Sequence, residues 1–311
     1  MIENDQEKKI KEYVESQETT TSNILEANPI AKPKLPWEKS EEQISLANQI
    51  GWQKIPIKDL PTQGYFYPDG TEIVIRAAVG AEIRHWSSLN EDDLSALDDM
   101  LNYILERCCT FKVPGKLSSW KDIKEIDRFY LILAIREYTF IKGENKLQVK
   151  VSESNKIDVR KEMIDYINFD NKLMKYYDTQ KKCFNLRFKS GKEIQVDIPN
   201  IGVVQFIKQY IQRKQQMQQP IDTDFVNFAP FIIRDWRGLN DTSYEKYVLD
   251  SNSWGITEIS VLSEIRQMFI DTVNPVIKYT DDGGMERTAP LNFQGGIKSI
   301  LLISDALEQL E

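Results

Sequence analysis

Hydrophobic and polar positions first follow regular periods near residue 51. Alternating polar and apolar side chains predict strands, and apolar side chains spaced three and four positions apart predict amphipathic helices. On this basis strands are predicted at residues 71–76 and 147–151, and helices at residues 81–89, 93–109 and 120–141. These elements alternate within a short stretch of chain. We therefore expect an α+β domain over residues 51–154.

The second half of the chain combines helical spacing with two hairpins. The hairpins turn at residues 189–192 and 281–284, where glycine and polar side chains favour a tight reversal. Their strands are predicted at residues 183–188 and 193–198, and at residues 275–279 and 286–293. Helices are predicted at residues 157–177, 202–219, 244–250, 257–270 and 297–310. We therefore expect a second α+β domain over residues 155–311, with two hairpins and a C-terminal helix.

The first fifty residues differ from the rest because prolines at positions 29, 33 and 36 interrupt a charged, polar stretch. Such a stretch cannot bury a core, so residues 1–50 are either a disordered leader or an extended arm that lies along a partner. Trp37 and Trp52 favour the arm, since aromatic anchors strengthen a contact. The whole pattern predicts an α+β fold in which an extended N-terminal arm precedes helices packed on small antiparallel sheets and hairpins.

The composition argues against two classes of partner. The chain has 311 residues, and its 48 acidic side chains outnumber 40 basic ones, which gives a net charge of −8. We therefore expect no nucleic-acid partner. No apolar run reaches the roughly 18 residues that span a bilayer, and the N-terminus is acidic with no apolar signal segment. We expect no membrane association and a chain that is made and retained in a cytosol.

The sequence contains no recognisable catalytic, cofactor-binding or metal-binding motif. Its cysteines are Cys108, Cys109 and Cys183. They form no C-x-x-C pair, and His85 is the one histidine, so zinc and iron–sulfur ligand sets are missing. Glycine-rich phosphate loops are also missing. We expect no cofactor and no enzyme activity. An enzyme of unrecognised class is the alternative if His85, Asp92 or Asp93 lies in a deep pocket.

Large aromatic side chains occupy many loop-like positions. They are Tyr65, Phe66, Tyr67, Trp86, Trp120, Trp236 and Trp254. Three of them are consecutive in a loop bracketed by proline and glycine, and the chain offers no site chemistry beside them. This combination is typical of a protein that functions by being bound. We therefore predict partner contacts at Trp37, Trp52, Tyr65, Phe66 and Tyr67.

Two segments resemble a known family. Residues 60–68, LPTQGYFYP, lead into a strand that ends at Ile75 and Arg76, and residues 127–137 read DRFYLILAIRE. Both segments resemble the baseplate hub and hub-assembly proteins of T-even-like, contractile-tailed bacteriophages. The first resembles the opening segment of these proteins, and the second resembles one of their characteristic helices. The resemblance extends over residues 60–150. Many members carry a C-x-x-C knuckle after this helix, but residues 149–154 here read VKVSES, so a zinc ion does not carry over.

The resemblance implies a structural or assembly component of the phage tail baseplate that acts through protein–protein contacts without catalysis. Its implied partners are other tail and baseplate proteins, in a symmetric homo- or hetero-oligomer. Its implied location is the virion's tail baseplate, after assembly in the host cytoplasm. A chaperone of tail or baseplate assembly, absent from the mature virion, is the alternative within the same family.

Overall fold

The computed structural model describes residues 51–88, 90, 92–140, 147–151, 156–161, 164–169, 171–273, 276–281, 283–290 and 300–301. These residues form helices and small antiparallel sheets, so the predicted α+β class is confirmed. The predicted arm at residues 1–50 lies outside the described residues, as does the C-terminal helix at 297–310 except for residues 300–301. The described parts of residues 51–154 and 155–311 belong to one contact unit, Ile50–Glu311. The domain boundary at residue 154 stays a prediction.

The N-terminal sheet has the strand order β1-β2-β3 and is antiparallel. Its strands are β1 (Trp52–Ile55), β2 (Glu72–Arg76) and β3 (Cys109–Lys112), and the helices beside it are α1 (Gly80–Ser87), α2 (Leu94–Cys108) and α3 (Arg128–Thr139). Apolar side chains of β2, α2 and α3 share one buried core, which includes Ile73, Ile104 and Leu131. The predicted strand at 71–76 and the helices at 81–89 and 93–109 are confirmed, whereas β3 was not predicted.

The helix predicted at residues 120–141 begins later than expected. Two 3-10 turns, Trp120–Asp122 and Glu125–Asp127, precede α3. The cause is a long-range pairing: Lys124 forms a β-bridge with Asn200, and the Glu125 N–H donates to the Pro199 carbonyl at 2.9 Å. These contacts hold the backbone extended between the two turns, so tertiary pairing overrides the helical spacing of the sequence.

The helix predicted at residues 157–177 is wrong. In its place lie β5 (Lys156–Asp158), the short helix α4 (Asn171–Met174) and β6 (Tyr177–Asp178). The predicted strand at 147–151 is present as β4 (Gln148–Lys150), which pairs with β5. Ile167 is buried, and its N–H donates to the Pro61 carbonyl at 2.9 Å. The apolar side chains of this stretch are thus matched to distant partners and not to one helical face.

The second half contains both predicted hairpins. β7 (Cys183–Arg187) and β8 (Glu193–Val196) form a sheet of order β6-β7-β8, and β9 (Val276–Thr280) pairs with β10 (Glu286–Pro290). The helices are α5 (Ile201–Gln216), α6 (Thr223–Ile232), α7 (Asp241–Ser251) and α8 (Ile256–Val273). α6 was not predicted. Its N-cap Asp222 accepts a 2.8 Å hydrogen bond from the Phe225 N–H, which satisfies one free donor of the first turn.

Gly202 lies in the first turn of α5 against the indole of Trp236. A Cβ at this position would lie 2.4 Å from the Cγ of Trp236. The indole Nε1 donates to Asp122 Oδ1 at 2.8 Å, so the ring cannot move away without weakening that bond. We expect Gly202→Ala to lower the free energy of unfolding by about 1–3 kcal/mol, measured by urea denaturation.

The matched control for this substitution is Gly238→Ala. A Cβ at Gly238 meets no atom within 4 Å, so we expect a change below about 0.5 kcal/mol. Equal unfolding free energies for the two variants would contradict the close contact between Gly202 and Trp236.

Candidate functional site

The structure separates the side chains that were predicted to contact a partner. Trp37 lies outside the described residues, and Trp52 is half-buried on β1, paired with Arg76. Tyr65 is 36% exposed, whereas Phe66 and Tyr67 are 3% and 2% exposed. The expectation is therefore corrected for Phe66 and Tyr67, because the loop folds back on the protein and buries both rings within the same chain.

The 61–70 loop is a series of turns that directs consecutive side chains to different places. Hydrogen bonds from the Gln63 N–H to the Leu60 carbonyl and from the Tyr67 N–H to the Gly64 carbonyl close two of these turns. Phe66 joins the hydrophobic cluster beneath the β6-β7-β8 sheet, where its ring lies 5.8 Å from that of Phe184. Tyr67 enters the other core, beneath the N-terminal sheet. The loop thus connects two cores.

Asp127 organises a buried polar network at the base of this loop. Its carboxylate accepts hydrogen bonds from the Thr62 N–H at 2.9 Å, from Thr62 Oγ1 at 2.7 Å and from Tyr67 Oη at 2.7 Å. Tyr67 Oη accepts in turn from the Lys124 N–H at 2.9 Å. Asp127 is completely buried, and desolvation raises the pKa of its carboxyl group to about 6. Burial also raises the pKa of Tyr67 well above its usual range.

A second buried ion pair lies next to this network. Lys124 Nζ donates to Asp197 Oδ2 at 2.8 Å and to the Ile198 carbonyl at 3.0 Å. Arg234 Nε approaches the same Asp197 oxygen at 3.4 Å, while Oδ1 has no hydrogen-bond partner in the part of the chain that the structure describes. This pair connects the segment before α3 to the end of β8.

Tyr65 is the exposed member of a cluster of three aromatic side chains. Its ring centroid lies 5.6 Å from that of Tyr177 and 6.1 Å from that of Phe169, in edge-to-face arrangements. Tyr177 Oη donates to the Tyr65 carbonyl, which fixes the loop against β6. We call Tyr65, Phe169 and Tyr177 the Tyr65 patch. It presents one aromatic side chain to solvent on a supported backbone.

An open groove of about 620 Å³ runs between β8 and helices α6 and α7. We call it the β8 groove. Its strand side includes Glu193 and Gln195, and its helix side includes Tyr247, Asp250 and Trp254. Seven of the twelve lining residues are polar or charged and the other five are apolar or aromatic, so the groove offers both kinds of contact to a ligand.

Hydrogen bonds hold both ends of the β8 groove. At one end Lys192 Nζ donates to the Ser253 carbonyl at 2.7 Å, which ties the β7–β8 turn to the α7–α8 connection. At the other end Arg234 Nη1 donates to Gln195 Oε1 at 3.1 Å, and Nη2 donates to the Lys181 carbonyl at 2.5 Å. The groove is therefore built on a fixed scaffold.

The residues named for an enzymatic alternative lie at the surface of the protein. His85, Asp92 and Asp93 are exposed and line neither the β8 groove nor a second pocket of about 430 Å³ beside β9 and β10. All three cysteines are buried. Burial raises the pKa of Cys108 to about 12 and also raises the pKa of Cys109 and of Cys183, which disfavours the reactive thiolate.

The described residues show neither a metal-ion site nor a membrane-spanning helix. Within the described ranges, His, Cys, Asp and Glu side chains form no group of three or more that could hold a metal ion. None of the helices that the structure describes is long and apolar enough to cross a bilayer. Comparison of the chain with family models, curated proteins and solved structures found no match.

Sequence reasoning did not identify the β8 groove. Its lining comes from three segments that are far apart in the chain, around residues 192–195, 225–235 and 247–254. The sequence indicates that Trp254 is an aromatic residue in a loop, and the turn at residues 189–192 predicts the position of β8. The sequence does not show that Trp254 and β8 line the same groove, because their proximity depends on how the helices pack.

Proposed function

We propose that the protein is a structural or assembly component of a phage tail baseplate hub, and that it acts through protein–protein contacts without catalysis. The resemblance of residues 60–68 and 127–137 to baseplate hub and hub-assembly proteins supports this function. One observation carries it: the two segments meet through the hydrogen bonds from Thr62 and Tyr67 to Asp127. The segments that resemble the family are therefore one structural unit, which presents Tyr65 at the surface.

Exposed apolar side chains support a role in protein contacts. Ile256 is 84% exposed at the start of α8, Leu249 is 69% exposed on α7, and the Tyr65 patch lies elsewhere on the surface. Aromatic side chains such as that of Tyr65 are enriched in protein–protein interfaces, and Tyr65 is therefore the first candidate for a contact. Other tail and baseplate proteins, in a symmetric homo- or hetero-oligomer, are the proposed partners. The proposed location is the virion's baseplate, after assembly in the host cytoplasm.

Quantitative mass spectrometry of purified phage particles tests this function. We expect the protein in mature particles at a fixed copy number that is a multiple of three or six, as the symmetry of such assemblies requires. Presence in infected-cell extracts together with absence from particles would support the assembly chaperone. Absence from both the particles and the infected-cell extracts would contradict the baseplate proposal and favour an enzyme of unrecognised class.

Tyr65 provides a sharper test of the contact surface. We expect Tyr65→Ala to reduce incorporation into particles by about tenfold, because loss of one exposed aromatic anchor costs an interface more than 1 kcal/mol. Quantitative mass spectrometry of particles measures the effect. Tyr65→Phe keeps the ring and is the matched control, with incorporation near that of the original chain. Replacing Phe66 or Tyr67 would not test the contact, since both rings are buried.

The stability of Tyr65→Ala must be measured beside its incorporation. If urea denaturation shows a folded variant that enters particles as well as the original chain does, the Tyr65 patch is not a contact surface.

A further inference from the structure

We propose that the β8 groove binds an extended peptide segment of a partner protein, which adds to the free edge of β8 and carries a lysine or arginine side chain. This inference rests on the proposed function in one respect, namely that the partner is a protein. It adds strand pairing as the mode of binding and a basic side chain as the group that the groove recognises.

β8 is the last strand in the order β6-β7-β8, and part of its outer edge has free hydrogen-bonding groups. The Phe188 N–H donates to the Lys192 carbonyl at 2.9 Å, and Ile194 pairs with Leu186 two residues further along. Because antiparallel pairs alternate, the N–H and C=O groups of Glu193 and Gln195 point away from β7. The Asp197 N–H follows the same direction and donates to the Phe231 carbonyl at 2.8 Å.

The edge groups at Glu193 and Gln195 are available to a ligand. Among the described residues, no backbone hydrogen bond outside the β7–β8 ladder involves either of them. Both residues line the β8 groove, so an entering strand would find two N–H donors and two carbonyl acceptors at strand spacing. Extended peptides commonly bind proteins by pairing with such an edge.

The helix side of the groove presents aromatic rings to a bound peptide. Tyr247 is 39% exposed and Trp254 is half-buried, and the ring of Trp254 lies 6.1 Å from that of buried Phe225. Side chains of an extended peptide alternate between two faces. Every second side chain of a strand paired with β8 can therefore contact these rings, while the others point away from them.

The charged groups of the groove favour a basic ligand. The Asp250 carboxylate lines the groove and has no hydrogen-bond or ion-pair partner in the described part of the chain. Lys192 keeps its charge, because it donates to the neutral Ser253 carbonyl, whereas Arg234 is paired with Asp197. The lining as a whole holds three carboxylates and two cations. A basic side chain of the ligand would complement Asp250, whereas an anionic ligand would meet an unpaired carboxylate.

Other occupants satisfy fewer of these groups. A helix already pairs its own backbone groups and would leave Glu193 and Gln195 unpaired. A second copy of this chain that paired through its own β8 would bring the two Asp250 carboxylates into the same interface. A basic extended peptide satisfies the strand edge, the aromatic wall and Asp250 together.

Binding is tested with the full-length chain and a fluorescent octapeptide of alternating valine and lysine. We expect saturable binding by fluorescence anisotropy. Two control peptides should bind at least tenfold more weakly: one with glutamate in place of lysine, and one N-methylated at every peptide nitrogen, which has no backbone N–H to donate to a strand edge. Hydrogen exchange gives a second readout. The backbone amide hydrogens of Glu193 and Gln195 should exchange more slowly when the lysine peptide saturates the protein.

Variants of the groove separate charge from packing. Asp250→Asn should abolish the preference for the lysine peptide over the glutamate peptide, and Tyr247→Ala should weaken both by about tenfold. Both side chains are exposed, so we expect both variants to fold, as circular dichroism will show. Tyr176→Ala is the matched control, because Tyr176 is 51% exposed and lies outside the groove lining. It should bind the lysine peptide like the original chain.

Several results would overturn the proposal. They are equal binding of the lysine and glutamate peptides, unchanged exchange at Glu193 and Gln195, and protection of these two amides in the free chain. If these amides become protected from exchange as the protein concentration rises, without any peptide, the edge of β8 binds a second copy of the chain instead. Failure of peptide binding leaves the particle analysis unaffected, and absence from particles leaves the peptide result unaffected, so the two proposals fail separately.

Discussion

Replacing Lys124 with methionine should lower the free energy of unfolding by about 3–5 kcal/mol, measured by urea denaturation at neutral pH. Lys124 and Asp197 are 6% and 5% exposed, and their charged groups lie 2.8 Å apart. Methionine keeps the apolar stem of the side chain and removes its charge. The Asp197 carboxylate would then stay buried with the 3.4 Å approach of Arg234 as its remaining charged contact.

Two controls make this expectation specific. Lys54→Met removes the same charge from a pair with Glu72 in which the lysine side chain is 47% exposed, and should change stability by about 1 kcal/mol or less. Adding Asp197→Asn to Lys124→Met should restore part of the lost stability, because it removes the uncompensated charge. If Lys124→Met and Lys54→Met unfold at the same urea concentration, the buried pair does not contribute as argued.

The elements that the sequence predicted correctly are those whose pattern is satisfied locally. β2 is a run of three buried β-branched residues between two polar ends, and the turn at residues 189–192 specifies the β7–β8 hairpin within a few residues. α5 carries its own N-cap, since Asn200 accepts a 2.9 Å hydrogen bond from the Val203 N–H. No distant contact is needed to recognise such elements.

The elements that were predicted wrongly have apolar residues matched to distant partners. Ile167 carries helical spacing in the sequence, yet its backbone pairs with Pro61, and Gln63 Nε2 donates to the Ile167 carbonyl at 3.0 Å. Lys124 lies in an apolar-rich stretch that reads as helix, but it bridges to Asn200. Both contacts join residues more than seventy positions apart, so no local window reveals them.

The site was partly predictable for a related reason. The aromatic loop is present at residues 61–70, and its role as a partner contact stays a prediction. Two of its residues, Thr62 and Tyr67, contact Asp127 of the second segment that resembles the phage family. The sequence does not show which of three consecutive rings faces solvent, since successive turns rotate the backbone between Tyr65 and Tyr67. The β8 groove depends on strand order and helix packing, and neither leaves a local pattern.

The stability of the protein should depend on pH through Asp127. Burial raises the pKa of this carboxyl group from its ordinary value of 3.8 to about 6. Between these values the folded state keeps the proton while the unfolded chain has released it. The contribution of Asp127 to stability is therefore complete below pH 3.8 and is lost as the pH rises through about 6. The difference in pKa corresponds to a loss of about 3 kcal/mol.

Asp127→Asn isolates this effect, because asparagine has a similar shape and does not titrate. Urea denaturation of both proteins at half-unit steps from pH 4 to pH 7 gives the difference in their free energies of unfolding. We expect the original chain to lose stability relative to Asp127→Asn as the pH rises towards 6 and the difference to be constant above it. All other carboxyl groups are common to both proteins and cancel. A difference that is flat or that rises with pH would show that the hydrogen bonds from Thr62 and Tyr67 outweigh desolvation and keep Asp127 ionised.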